Sequence, residues 1–205
     1  MSKHHRNRNW APAPQPLPED AHVIDNHTHV ASVVPFSQAM SHEAMEKGQG
    51  EVPVYSVDEL LEQAQKVGVE GVIDCGCELP NLMTAIDMAR EHPGTVHAAI
   101  AIHPNEAVLH GHRGAPGPDG LPIKYKPWHD IPFDEAMAEV HRLATTYPNQ
   151  VVAIGETGMD LFRTGESAKE LQREAFRAHV ALAKELNLPM QIHDRDSHKE
   201  VIETL

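Results

Sequence analysis

Cysteine is nearly absent from this chain, with two in 205 residues. A disulfide-stapled secreted scaffold is therefore excluded, and the pair agrees with a reducing compartment. Aromatic residues make up only 4% of the chain, so the core must be built from aliphatic side chains. Positive charge is in deficit: Lys and Arg number 17 against 30 Asp and Glu, a formal net charge of −13. Such a chain does not grip nucleic acid through a broad basic surface. If its substrate carries phosphate, bound metal ions are the natural neutralising charge. No apolar run approaches the roughly 20 residues needed for a membrane helix. The proline-rich opening, residues 1–20, lacks the apolar centre of a secretory signal. It reads as a flexible arm on a cytoplasmic protein, with no membrane association and no protein partner evident.

Histidine, by contrast, is abundant, with 16 residues. Beyond residue 20 the chain alternates apolar strand-like runs with helical patterns. Strands are expected at 21–30, 69–77, 96–104, 151–160 and 190–194. Helices are expected at 56–68, 81–94, 133–148 and 168–189, and a further helix begins near the end. Ser56 and Glu59 form a capping-box pattern, Leu60, Leu61, Ala64 and Val67 make the apolar stripe, and Gly68 closes it. Residues 110–130 form a Gly/Pro-rich loop. Strands alternating with helices predict a parallel sheet with right-handed crossovers, buried on both faces.

Polar residues recur at the ends of these apolar runs. Asp25, His27 and His29 alternate along the first strand and so share one face. His103, Glu156 and His193 stand at the ends of the third, fourth and fifth. Burying such groups is costly unless they bind something, and imidazole with carboxylate is a ligand set for divalent metals. Residues drawn from several strand ends favour a barrel, where those ends converge on one axis, over an open sheet. With so many histidines, chance supplies about one H-x-H match, and His110 and His112 in the loop read as such a match, solvated at the surface. Cys75 and Cys77 share a strand face and read as small buried hydrophobes rather than a soft-metal pair. Lys124, Tyr125, Lys126 and Trp128 read as a surface insertion rather than a strand-contacting element.

The segments "VIDNHTHV", "AIHPNE", "VVAIGETGMDLFR" and "LPMQIHDRD" resemble, in order, signatures of the TatD-like metal-dependent deoxyribonucleases of the amidohydrolase superfamily. The resemblance covers residues 21–205. It implies an α/β fold, a (β/α)₈ TIM barrel, with about the first five β/α units in this sequence and the C-terminal part of the domain absent. It implies one or two divalent metal ions (Mg, Mn or Zn), with His27 and His29 on the first, Glu156 bridging as the central catalytic ligand, and His193 on the second. Asp25, His103, Asp160 and Arg195 fall in matching segments and are placed around the site, Arg195 suited to a phosphate or a carboxylate. A glutamate at 156, where related amidohydrolases carry a modified lysine, favours the TatD-like branch.

The implied activity is cleavage of DNA phosphodiester bonds by metal-activated water. Family members carry a further ligating histidine after strand six and an aspartate at the end of strand eight. A barrel needs about 250 residues, so about 70–100 more are expected downstream, and the 205-residue chain alone is expected to be inactive. Hydrolysis of a small amide, ester or lactone uses the same ligands and stays open. So does a chain that needs a partner to complete the barrel.

Overall fold

The computed structural model describes residues 16–18, 20–48, 53–114, 116–117 and 120–205. The expected N-terminal arm lies almost wholly outside them. Within it, Leu17 N donates to Val67 O at 2.9 Å. The chain divides into two compact units, one from residues 1–25 with 29–71 and the other from 26–28 with 72–205.

The first unit carries α1 (Val30–Glu46) and α2 (Val57–Lys66), which pack together. The expected capping box closes the start of α2: Glu59 N donates to Ser56 Oγ at 3.2 Å, and Ser56 N donates to Glu59 Oε2 at 2.8 Å. Both otherwise orphaned N–H groups are thereby satisfied. Gly68 follows with φ +95°, which a side chain would strain. Helix α1 is an addition to the elements expected from sequence. Pro35 lies inside it, and an interior proline removes a helical donor and reads locally as a breaker.

The sheet runs in the order β1-β2-β3-β4-β5: β1 (Val23–Thr28), β2 (Val69–Gly76), β3 (Val96–Ile100), β4 (Val151–Asp160) and β5 (Met190–Arg195). Strands β2 to β5 pair in parallel, each with the next in sequence. Between them lie α3 (Leu79–Glu91), the short α4 (Pro104–Ala107), α5 (Phe133–Thr146) and α6 (Lys169–Leu186), with α7 (His198–Thr204) after β5. This is the succession of the first five β/α units of a (β/α)₈ barrel. Helix α3 covers β3, and α6 covers β4. Leu82, Ile86, Ile100, Ile102, Leu143, Ile154, Met159 and Phe176 are fully buried, each contributing about 1.5–3 kcal/mol. Asn187, left-handed at φ 53°, ends α6, as asparagine can at little cost.

Burial departs from the expectation at the sheet's two ends. β3 and β4 are buried, whereas β1 is almost wholly exposed and β5 is half-exposed. A strand with a neighbour on one side only is covered less. The Gln191 side chain donates to Asn26 O, so these two end strands touch.

Candidate metal centre

The site begins with a fault in the ladder. Ile154 pairs with Met190 and Thr157 with Ile192, so Gly155 and Glu156 together oppose Gln191. Such a bulge re-aims a side chain, and bulges gather beside functional sites. Glu156 is the residue re-aimed here. Its neighbours in "GETGMD" set the strand spacing. A Cβ on Gly158 would lie 2.1 Å from His193 O, and one on Gly155 would lie 2.5 Å from Gln191 Cβ. With φ +143°, Gly158 also adopts backbone that a side chain disfavours.

His193 is the hub. Its Nδ1 lies 2.6 Å from Glu156 Oε1, and its Nε2 lies 3.1 Å from Asp160 Oδ2. His103 Nε2 lies 3.9 Å from Glu156 Oε1, and the rings of His103 and His193 meet edge-on at 4.4 Å. His27 Nε2 lies 3.6 Å from Glu156 Oε2, and its Nδ1 lies 3.7 Å from Cys75 Sγ. His103, Glu156 and His193 each offer a ligand atom, all within 4.8 Å of one another. The set is two imidazoles and a carboxylate, the donor chemistry that divalent zinc-like metals take.

Charge follows the geometry. Burial raises the Glu156 carboxyl, but the bond from His193 and the nearby His103 and His27 outweigh it and hold it at about 2. Burial likewise lowers His193, and the two carboxylates flanking it reverse that, to about 9. Asp160 is pushed up by burial and brought well below its ordinary value by His193, the Arg163 backbone and Asn105.

Asp160 is fully engaged. Oδ1 accepts from Phe162 N at 3.0 Å and Arg163 N at 2.8 Å. Oδ2 accepts from Asn105 Nδ2 at 3.0 Å and faces His193. Gln172 braces its backbone, accepting from the N–H and donating to the carbonyl. A carboxylate held this way fixes the orientation of the imidazole it faces.

Several expected placements change. His103 is not on a strand: β3 stops at Ile100, and His103 caps α4, its Nδ1 accepting from Asn105 N at 3.2 Å. Proline at 104 favours that helix start. His29 is likewise off the strand, at the N-cap of α1. The alternation that put Asp25, His27 and His29 on one face stops at Thr28, and Asp25 lies exposed on β1. Arg195 stacks over the Phe162 ring at 4.1 Å. His110 is not solvated but fully buried, its Nδ1 2.7 Å from Ile131 O and its Nε2 without a hydrogen-bond partner. His112, paired with Asp130 at 2.6 Å, is at the surface as expected. Cys75 is buried and Cys77 half-buried. Asn105, Gln172 and His179 carry structural work that no motif signalled, although Asn105 stands inside "AIHPNE".

An "Uncharacterized metal-dependent hydrolase YabD" of Bacillus subtilis is 32% identical over 149 residues, 73% of this chain and 48% of the relative. A "3'-5' ssDNA/RNA exonuclease TatD" of Erwinia tasmaniensis is 32% identical over 148 residues, 72% of this chain and 48% of its own length. The chain thus spans about half the length of the curated relatives it matches. Among solved structures, the TatD homolog YJJV of Escherichia coli K12 superposes with a TM-score of 0.59 at 23% identity, covering 88% of this chain and 54% of that one. A TatD family hydrolase of Entamoeba histolytica gives the same TM-score at 20% identity, covering 89% of this chain and 52% of that one. These likenesses share the fold. The family model for TatD related DNase matches residues 24–205, and the chain belongs to that family.

Proposed function

We propose that the protein is a divalent-metal-dependent nuclease acting on single-stranded nucleic acid, DNA above all. The observation that carries this reading is the convergence of His103, Glu156 and His193 donors within 4.8 Å, with His27 beside the same carboxylate. One or two divalent ions fit such donors, and the proposed ligands are His27, His29, Glu156 and His193, joined by His103. A metal here supplies Lewis acidity toward a phosphoryl oxygen and toward water. It also supplies the positive charge that a chain of net charge −13 lacks at large.

The protein's own groups do the positioning. Glu156, ionised far below neutral pH, would be the central anionic ligand. Asp160 fixes the His193 ring by taking one of its nitrogens, which leaves the other facing Glu156. Asn105 holds Asp160 in turn. Arg195, at the end of β5, is the proposed phosphate contact. Relatives named as 3'-5' ssDNA/RNA exonucleases support the choice of substrate class.

The test uses the intact protein with a complete barrel, the 205-residue chain alone being expected to stay inactive, on end-labelled single-stranded DNA with Mn²⁺, Mg²⁺ or Zn²⁺, set beside amide and lactone substrates. The expected result is cleavage that stops on chelation and returns with metal. Turnover of the amide or lactone without phosphodiester cleavage would replace the nuclease with a small-molecule hydrolase.

A further inference from the structure

Beside the metal centre lies a cavity of about 380 Å³ that the site does not use. Its size falls within the range of small-ligand pockets, roughly 300–1,000 Å³. Val108, Leu109, Leu121 and Ile123 give it an apolar lining, and Lys124 and Arg163 line it too. Two cationic side chains on one apolar cavity are notable where acidic residues outnumber basic ones 30 to 17.

The cavity is built rather than a gap under a loose loop. Pro116 bridges Thr164 in antiparallel pairing. A Cβ on Gly117 would lie 2.1 Å from the Arg163 carbonyl carbon, so the two backbones are packed against each other. The cavity and the metal centre also share a wall. Asn105 lines the cavity, accepts from Thr164 Oγ1 at 3.0 Å and donates to Asp160 Oδ2 at 3.0 Å. Asp160 in turn faces His193.

We propose that this cavity is a nucleobase subsite: it takes the base of a nucleotide next to the scissile phosphate, with Lys124 and Arg163 contacting an adjoining phosphate. The proposal rests on the nuclease reading above. A base is flat and largely apolar on its faces, and its nucleotide is anionic, which matches an apolar lining with two cations. Base contacts of this kind are sequence-tolerant, because every base presents a π-face. The site would therefore grip single strands, whose bases are free to turn outward, in preference to a duplex.

The experiment follows methyl resonances of the isotopically labelled 205-residue chain, with chelator present so that the metal centre contributes nothing. Thymidine 5′-monophosphate is titrated beside 2-deoxyribose 5-phosphate. The expected result is a shift of the Leu109 and Ile123 methyls with the nucleotide, and about tenfold tighter binding than for the sugar phosphate. Ile123→Asn should erase that tenfold while sugar phosphate affinity and the methyl spectrum of α6 stay as they were. Equal affinity for the two ligands, nucleotide binding that leaves those methyls unmoved, or a full advantage retained in Ile123→Asn would overturn the subsite. Its fate separates cleanly from that of the nuclease reading. Nucleotide binding without DNA cleavage upholds the subsite and removes the nuclease. Cleavage by a chain whose Leu109 and Ile123 methyls never respond to nucleotide upholds the nuclease and removes the subsite.

Discussion

Two clusters in this molecule use the same residue types to opposite ends. Around Glu156, midway along β4, His103 and His193 converge, so that three donors face a common space. Under the 110–130 loop, His129, Glu106 and Trp128 interlock. His129 Nδ1 accepts from Lys126 N at 2.9 Å, its Nε2 lies 2.7 Å from Glu106 Oε2, and Trp128 Nε1 donates to that oxygen at 3.2 Å. There one carboxylate oxygen takes both ring partners, and no three ligand atoms converge among the described residues. Composition cannot separate the two clusters, but the direction of the lone pairs can. Convergence leaves donors for an ion, and interlocking leaves a folded loop.

Four measurements would break or sharpen this contrast. The largest effect is expected from Glu156→Gln. Metal-dependent DNA cleavage should vanish, as should the stabilisation a metal confers, about 2.7 kcal/mol at a hundred times its Kd. Thermal unfolding with and without Mn²⁺ reads the second effect. If Glu106→Gln removed that metal response as well, the distinction between the clusters would collapse.

A histidine of a third kind comes next. His179 is wholly buried beneath the site. Its Nδ1 lies 2.8 Å from Ala175 O, and its Nε2 accepts from Ile102 N, the residue before His103. Burial holds it down to about 4, against its ordinary 6.5. As pH falls below 6.5 the unfolded chain takes up a proton there and the folded chain does not. Stability present at neutral pH is therefore lost as pH falls from about 6.5 through about 4, to the extent of about 3 kcal/mol. Urea denaturation at stepped pH should show this component in the parent and not in His179→Gln.

Glu106→Ala leaves buried His129 and the Trp128 N–H without their acceptor, a loss of about 2 kcal/mol of unfolding free energy, read by urea denaturation. Metal response should be unchanged. The smallest effect belongs to His110→Phe, which keeps a ring in place. It gives up the bond to Ile131 O and also removes an unsatisfied nitrogen. These oppose each other, and calorimetry should find a net change below about 1 kcal/mol.

Much of this was legible before the fold was known. The capping box placed α2, periodicity placed α5 and α6, and the ordered motifs picked out Glu156, Asp160 and His193. What the sequence does not carry is tertiary. Alternation carried the first strand through His29, although the chain turns into α1 at Val30. The apolar run after Val96 was extended to His103, although pairing ends at Ile100. Pro35 masked a helix. The Gly/Pro neighbours of His110 point to the surface, while its burial comes from packing beside His129, with ring centroids 5.8 Å apart. Asn105, Gln172 and His179 act through partners 55, 12 and 77 residues away, and no local pattern encodes such distances.

Gly158 has one more consequence, best put as tolerance to drift. It offers no donor to an ion, no proton and no charge. Yet any side chain there would strike the His193 carbonyl and push β5 away from β4, moving His193 off Glu156. In a library of random variants selected for metal uptake, position 158 should be as intolerant as the ligands themselves. The same selection would score a residue that binds nothing as though it were part of the binding site.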